Sequence, residues 1–248
     1  MPEVSASKYL VQAGWSDIPH LSEQTQRELL AATPPYMRES RSKGTPSRGA
    51  GAIWTTMEED FVVKPFPIPD YWPRCYALDV GWNRTACLWG AYDRGVSTWY
   101  FYTEHYRTKA LPSVHATAIR ARGEWIPGLI DPAARGRSQE DGKQLIVTYD
   151  QLGLSLEPYI NAVDAGLDAV WLLLETGRLK VFSTLPNWLF EYRLYHRDEK
   201  GEVVKKNDHL CDCTRGIVMS GQARAKVKPI EHRNVVGSAA GGDKDVGF

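Results

Sequence analysis

Cysteine is scarce in this chain. Four occur among 248 residues: Cys75, Cys87, Cys211 and Cys213. They are too few for a disulfide-rich framework, and the single C-x-C lacks the second pair that a structural zinc site requires. We therefore predict reduced, buried thiols.

Long apolar segments are also absent. No run approaches the roughly 18 residues that predict a membrane span. The first ten residues, MPEVSASKYL, lack the charged and then apolar pattern of a signal peptide. The sequence therefore predicts an intracellular protein with no membrane partner.

The formal net charge of the chain is zero, because 30 lysines and arginines balance 30 aspartates and glutamates. Overall charge thus neither indicates nor excludes a nucleic-acid partner, and such a partner would require local basic patches.

A phosphate-binding loop of the form G-x-x-x-x-G-K-[ST] is missing. The nearest stretch, Gly142-Lys143-Gln144, lacks the first glycine and the hydroxyl residue that would hold Mg²⁺. ATP binding is therefore not expected of this chain.

Apolar and aromatic residues, by contrast, are plentiful. The chain is 43% hydrophobic, with nine tryptophans and twelve tyrosines. A chain of this length and composition can bury a substantial core and is within the range of one domain with appendages.

Three aspartates stand where a metal-dependent nuclease needs carboxylates. Asp79 ends the apolar run CYALDVGW, Asp131 ends WIPGLIDP, and Asp208 begins a helix in KKNDHLCDCTRG. A carboxylate at the end of a buried strand is costly unless a cation or a donor receives it. Mg²⁺ and Mn²⁺ prefer such oxygen ligands, and a pair of these ions can serve both the attacking water and the leaving oxygen of a phosphodiester.

Three strand-like runs, CYALDV, TACLWGAYD and STWYFYTEHY, follow one another with short turns between them, which predicts an antiparallel meander. Beyond them we predict helices at 112–122, 138–152, 164–176, 187–196 and 208–220, and strands at 126–130 and 179–183. This element order is typical of an α/β protein with a mixed sheet of ribonuclease-H type. Trp188 and Tyr192 stand at helical spacing and are predicted to belong to the core.

Three regions are predicted along the chain. Residues 1–70 contain a short helix at 22–32 and a Gly-, Ser- and Arg-rich stretch without periodicity, so they read as a segment outside the domain. Residues 71–221 form the folded domain. Residues 222–248 lose apolar periodicity and are predicted to be a flexible tail.

Five blocks of the sequence carry a family resemblance. They are SDIPHLSEQ, PPYMRESRSKGTPSRGAGAIW, DPAARGRSQEDG, TGRLKVFSTLPNWLFEYRLYHRDEKG and KKNDHLCDCTRGIVMSG. Between about Asp17 and Gly221 the chain resembles the large terminase subunit of tailed bacteriophages, specifically its C-terminal nuclease domain.

This resemblance implies a ribonuclease-H-like endonuclease that cuts concatemeric viral DNA with two Mg²⁺ or Mn²⁺ ions. The motor domain of the family is missing, so residues 1–70 would be the end of that domain and a linker. The implied partners are double-stranded DNA, the terminase small subunit and the capsid portal protein, in the cytoplasm of the host.

The three acids also have simpler interpretations. Asp79 and Asp131 precede glycine-containing or proline-containing turns, and Asp208 could be only the N-cap of its helix. The family motifs favour Asp79, Asp131 and Asp208 as metal ligands and catalytic residues. Asp212 lies one turn after Asp208, and two readings of it stay open: an alternate ligand, or a partner of Arg215.

Cationic side chains follow or precede two of these acids. Charge runs are usually solvated surfaces, but cations tethered to catalytic acids can neutralise phosphates without reading the base sequence. The predicted DNA contacts are Arg135, Arg137 and Lys143 after Asp131, and Lys205 and Lys206 before Asp208.

Two other functions are considered. One is another ribonuclease-H-like enzyme, a junction resolvase or a transposase. The other is a DNA- or portal-binding module whose acids only stabilise the fold.

Overall fold

The computed structural model describes residues 14–32, 42, 51–81, 83–132, 145–198 and 201–230. Within these residues, no helix is both long and apolar enough to cross a membrane. Seven strands form one sheet: β1 (Val62–Val63), β2 (Arg74–Asp79), β3 (Thr85–Asp93), β4 (Thr98–Arg107), β5 (Gly128–Ile130), β6 (Leu156–Pro158) and β7 (Leu179–Phe182).

Among the described residues, seven α-helices accompany the sheet. They are α1 (Glu23–Ala32), α2 (Glu58–Phe61), α3 (Pro112–Arg120), α4 (Leu145–Gln151), α5 (Val163–Glu175), α6 (Pro186–Leu194) and α7 (His209–Arg224). Proline opens α3 and α6, where its fixed φ suits the first turn and its missing N–H costs nothing. The predicted helix at 138–152 is found only from residue 145 onward, because residues 133–144 lie outside the described part of the chain.

The strand order is β1-β7-β4-β3-β2-β5-β6. Strands β2, β3 and β4 are antiparallel neighbours, so the predicted meander is confirmed. The β5 strand joins β2 in parallel, and β7 joins β4 in parallel. The sheet is therefore mixed, as its element order predicts.

Helices cover both faces of the sheet, which explains why the central strands read as continuous apolar runs. Alternate residues of β2 point to opposite sides: Cys75 and Ala77 join a core with α5, α6 and α7, whereas Tyr76 and Leu78 join a second core with α3 and α4. All four cysteines are buried free thiols, as predicted. Trp188 of α6 also lies in the core.

Residues that precede the predicted domain boundary at residue 71 contribute to the core and the sheet. Trp54 and Phe61 are buried in the larger core, and β1 pairs with β7. The Trp54 indole N–H donates to the Leu167 carbonyl at 3.1 Å, and the Tyr192 hydroxyl donates to the Thr56 carbonyl at 2.7 Å. These partners are more than 100 residues away in sequence, so local composition could not reveal them.

Residues that follow the predicted domain boundary at residue 221 continue the last helix. The last helix was predicted to stop at residue 220, but α7 continues to Arg224. Lys226 then forms a two-way bridge with Arg74, with backbone N···O distances of 2.7 and 3.1 Å. Lys226 thus connects the chain after α7 to the start of β2, and residues 231–248 of the predicted tail lie outside the described residues.

A histidine pair in the domain gives a testable pH dependence. Nε2 of His105 on β4 lies 2.9 Å from Nδ1 of His115 on α3. Burial lowers the pKa of His105 to about 4, and His115, Arg122 and Arg107 act in the same direction. The unfolded chain therefore takes up a proton first, so the stability that the neutral pair supplies is complete above about pH 6.5 and is lost toward pH 4.

We expect the thermal midpoint of the protein to fall between pH 7 and pH 5, and to fall less in His105→Gln, which keeps a polar side chain that does not titrate. Differential scanning calorimetry at the two pH values measures this change. His20→Gln, at an exposed position, is the control. An equal fall in His105→Gln and in the unchanged protein would contradict the interpretation.

Candidate functional site

Two of the predicted acids lie at the carboxyl ends of neighbouring parallel strands. Asp79 is the last residue of β2, and Asp131 directly follows β5. The Asp131 N–H donates to the Leu78 carbonyl at 3.2 Å. Ala77 and Leu129, two residues earlier on each strand, belong to the core below α5, α6 and α7. Because side chains alternate along a strand, Asp79 and Asp131 face this same side.

Tyr159, which follows β6, holds Asp131 in place. Its hydroxyl donates to Oδ2 of Asp131 at 2.7 Å. Burial raises the pKa of Tyr159, so the hydroxyl remains a donor. The tyrosine ring packs against α7 at Gly216, where an added Cβ would lie 2.6 Å from a ring carbon. Glycine at this helical position therefore allows the contact between Tyr159 and Asp131.

The start of α7 brings the third acid to the same region. Asp208 occupies the N-cap position, but its side chain makes no capping hydrogen bond. It is buried, and burial followed by the charge of Asp212 raises the pKa of Asp208. Asp208 is thus the N-cap residue of α7, as the simpler interpretation predicted, but its carboxylate does not bond to the N–H groups of the first turn.

His209, the first residue of α7, connects this helix to β2. Its Nδ1 lies 2.7 Å from Oδ2 of Asp79, and this hydrogen bond raises the pKa of His209. The other Asp79 oxygen has no hydrogen-bond partner among the residues that the structure describes. A histidine at a helix start is usually a surface group, so local sequence could not reveal this pairing across 130 residues.

Asp212 forms the partnership with Arg215 that the sequence analysis left open. The guanidinium of Arg215 donates to Oδ1 of Asp212 from Nη2 at 2.7 Å and from Nε at 3.2 Å. The Tyr195 hydroxyl donates to the same oxygen at 3.4 Å, and Lys205 Nζ donates to Oδ2 at 3.4 Å. Three donors thus surround this carboxylate.

The three predicted metal ligands share one region but do not converge on one point. Across the described part of the chain, no three histidine, cysteine or acidic side chains gather closely enough to hold a metal ion. Each predicted ligand instead faces a protein donor: His209 for Asp79, Tyr159 for Asp131 and Lys205, 3.6 Å away, for Asp208.

Of the five cations predicted to contact DNA, the structure describes Lys205 and Lys206. Lys205 lies between Asp208 and Asp212, with its side chain largely exposed. Lys206 is exposed and, within the described residues, has no ion-pair partner. Arg135, Arg137 and Lys143 lie outside the described residues.

Besides Tyr159, the sequence did not predict Glu191 and Tyr106 as residues of this site. Glu191 of α6 is fully buried, and its Oε2 accepts the Leu210 N–H at 2.5 Å. Tyr106 of β4 donates its hydroxyl to the other Glu191 oxygen. A glutamate inside an aromatic-rich helix reads as a solvated residue, so only the packing of α6 beside α7 could reveal its role.

The sheet order and the acids at its carboxyl end define the class of this protein. It has an α/β fold of ribonuclease-H type, with Asp79 at the end of β2, Asp131 directly after β5 and Asp208 directly before the final helix. No model of a known protein family matches the chain.

The chain is similar in sequence to known proteins. The chain is 32% identical to the large terminase subunit of Salmonella phage P22 over 237 residues, which are 89% of this chain and 46% of that protein. It is 31% identical to the large terminase subunit of Enterobacteria phage LP7, covering 85% of this chain and 46% of that protein. The chain thus spans about half the length of these relatives.

Solved structures identify the matching part. The nuclease domain of the P22 large terminase superposes with a TM-score of 0.67 at 28% identity, covering 73% of this chain and 97% of that domain. The large terminase nuclease of phage G20c, at 14% identity and a TM-score of 0.50, shares the fold. The chain is a homologue of the bacteriophage large terminase subunits, and the part of them that it matches in structure is the nuclease domain.

Proposed function

We propose that this chain is a metal-dependent endodeoxyribonuclease that cuts concatemeric phage DNA during genome packaging. One observation carries the proposal: Asp79 and Asp131 lie side by side at the ends of parallel strands and face the helix start that bears Asp208. The likeness to the P22 nuclease domain supports the same function.

The donor set suits a divalent cation. Asp79, Asp131 and Asp208 offer carboxylate oxygens, which Mg²⁺ and Mn²⁺ prefer. Mutual repulsion within the acidic region contributes to the raised pKa of Asp208, and a bound cation would relieve it. The G20c nuclease has been crystallised with magnesium and with cobalt. When bound, two such ions supply a water of lowered pKa and positive charge for the departing 3′-oxygen.

The protein groups around these acids orient them. Tyr159 fixes one oxygen of Asp131, and His209 fixes one oxygen of Asp79, so each carboxylate has a set direction before a ligand arrives. Hydrogen bonds of this kind to a ligating group raise affinity by limiting its freedom.

Double-stranded DNA is the proposed substrate, with Lys205 and Lys206 beside Asp208 as phosphate contacts. Arg135, Arg137 and Lys143 remain predicted contacts on the other side of the site. We further propose that the chain works with the terminase small subunit and the portal protein in the host cytoplasm. On the contacts described above, the nuclease unit extends from about residue 51 to 230.

A plasmid-nicking assay tests the function. We expect the purified chain to convert supercoiled plasmid to open-circular and linear forms with Mn²⁺ or Mg²⁺, and to stop when EDTA is added, because the acids cannot activate water alone. Cleavage of linear duplex should match cleavage of four-way junctions. A strong preference for junctions would favour a resolvase, and DNA retention without nicking would favour a binding module.

A further inference from the structure

The carboxylate of Glu191 lies at the start of α7, where a helix exposes backbone N–H groups without partners. Its Oε2 accepts the Leu210 N–H at 2.5 Å and the Cys211 N–H at 3.4 Å. Asp208 stands at the N-cap position without a side-chain capping bond. Glu191, from a different helix, therefore supplies the cap that the N-cap residue does not.

This arrangement leaves Asp208 available for another role. A carboxylate that caps its own helix is committed to the N–H groups of the first turn. Because Glu191 takes two of those N–H groups, the Asp208 carboxylate turns toward Lys205 instead. Glu191 thus stabilises the start of α7, and the Asp208 carboxylate remains free to act as a ligand.

Glu191 is itself held from the opposite side. The Tyr106 hydroxyl donates to Oε1 of Glu191, and that hydroxyl accepts from Nη1 of Arg84 at 2.7 Å. The guanidinium of Arg84 also lies 4.6 Å from the centre of the Tyr106 ring. Arg84 follows Asp79 by five residues, so this chain of contacts connects the loop after β2 with the start of α7.

The fold contains a second glutamate that caps a helix from another element. Oε1 of Glu104, on β4, accepts the Asn187 N–H at 3.0 Å, and Oε2 accepts the Trp188 N–H at 2.9 Å. Those groups begin α6, the helix that carries Glu191. Glu104 therefore shows that this fold caps more than one helix from a neighbouring element, and it acts on the same helix as Glu191.

We propose that Glu191 is a positioning residue for the metal site: by capping α7 from α6, it sets the direction in which Asp208 and His209 face Asp79. This inference rests on the proposed nuclease function. Glu191 acts through the helix start and touches neither substrate nor cation.

Two substitutions distinguish the effect of the position of the Glu191 carboxylate from the effect of its charge. Glu191→Asp keeps the charge but withdraws the carboxylate by one methylene, whereas Glu191→Gln keeps the length and an acceptor oxygen but removes the charge. We expect Glu191→Asp to weaken Mn²⁺ binding about tenfold, the size of effect typical for groups that orient metal ligands. Glu191→Gln is expected to stay within about threefold of the unchanged chain.

The measurement is Mn²⁺ binding to the full chain without DNA, followed by electron paramagnetic resonance of the free ion. It does not depend on cleavage. Thermal midpoints are recorded for each variant, and the control Glu124→Asp, at a largely exposed glutamate that pairs with Arg120, should leave Mn²⁺ affinity unchanged. If Glu191→Asp does not fold, Tyr106→Phe replaces it. We expect its Mn²⁺ affinity to fall about threefold, because the hydrogen bond from Tyr106 to Glu191 is lost.

Several results would overturn the proposal. They are unchanged Mn²⁺ affinity in Glu191→Asp, a larger loss in Glu191→Gln than in Glu191→Asp, or an equal loss in Glu124→Asp. If the unchanged chain binds Mn²⁺ but fails to nick plasmid, the nuclease function fails while the binding data still decide the role of Glu191. If plasmid is nicked normally and the variants have equal Mn²⁺ affinity, the proposed role of Glu191 fails while the nuclease function stands.

Discussion

Asp79→Asn, Asp131→Asn and Asp208→Asn are each expected to reduce Mn²⁺-dependent plasmid nicking by about a thousandfold, which corresponds to about 4 kcal/mol of transition-state stabilisation. Each change removes a negative charge from a proposed ligand and leaves side-chain volume nearly constant. Nicking rates at saturating Mn²⁺ and far-UV circular dichroism spectra measure the effect, and the spectra should remain unchanged.

Asp93→Asn provides the control, because Asp93 also ends a strand but lies at the opposite end of the sheet, across from Thr98. It should nick at the normal rate. Normal nicking by any of the three site variants would remove that residue from the proposed site.

Asp212→Asn and Asp208→Asn should differ in their effects, because Asp212 has a buried arginine as a partner, whereas Asp208 faces the largely exposed Lys205. Asp212 pairs with Arg215, whose side chain is 1% exposed, and leaving a buried charge without its partner costs about 3–5 kcal/mol. We therefore expect a lowered thermal midpoint with a milder loss of nicking, whereas Asp208→Asn should lose activity without losing stability. Equal loss of nicking in both would reverse this ranking.

Removal of residues 1–70 is expected to unfold the domain, whereas removal of residues 1–50 is not. The longer deletion takes away Trp54, Phe61 and β1, which belong to the core and the sheet. Truncating a buried aromatic side chain to alanine costs about 3–5 kcal/mol. Losing both aromatic side chains therefore approaches the 5–15 kcal/mol that typically stabilises a whole domain.

Urea unfolding followed by tryptophan fluorescence and circular dichroism measures this difference, and Trp54→Ala tests its largest component. Met57→Ala is the control, because Met57 lies in the same segment but is 41% exposed and should change stability by less than about 0.5 kcal/mol. A folded chain that begins at residue 71 would show that the segment is only docked on the domain.

The elements that sequence predicts best are those with strong local patterns. Strands β2, β3 and β4 are apolar runs separated by short turns, and two of the acids stand at strand ends that the pattern places unambiguously. By contrast, β1 has two residues and β6 has three, one of them a proline. Such short strands exist only because longer neighbours pair with them, so local propensity cannot reveal them.

The site shows the same division between local and distant information. Asp79, Asp131 and Asp208 could be proposed from their positions in motifs. The contacts of His209 with Asp79 and of Glu191 with Leu210 join segments 130 and 19 residues apart. Both depend on how α7 packs against the sheet and α6, which no periodicity in the sequence encodes.

The bridge between Arg74 and Lys226 has a consequence for how the domain can be tethered. Arg74 begins β2 and Asp79 ends it, so at about 3.3 Å per residue the bridge lies about 17 Å from the acid along one strand. The chain beyond α7 thus passes the end of the sheet remote from the acids. A partner held near residues 226–230 would leave the acidic end open, so attachment and DNA cleavage can occupy opposite ends of the domain simultaneously.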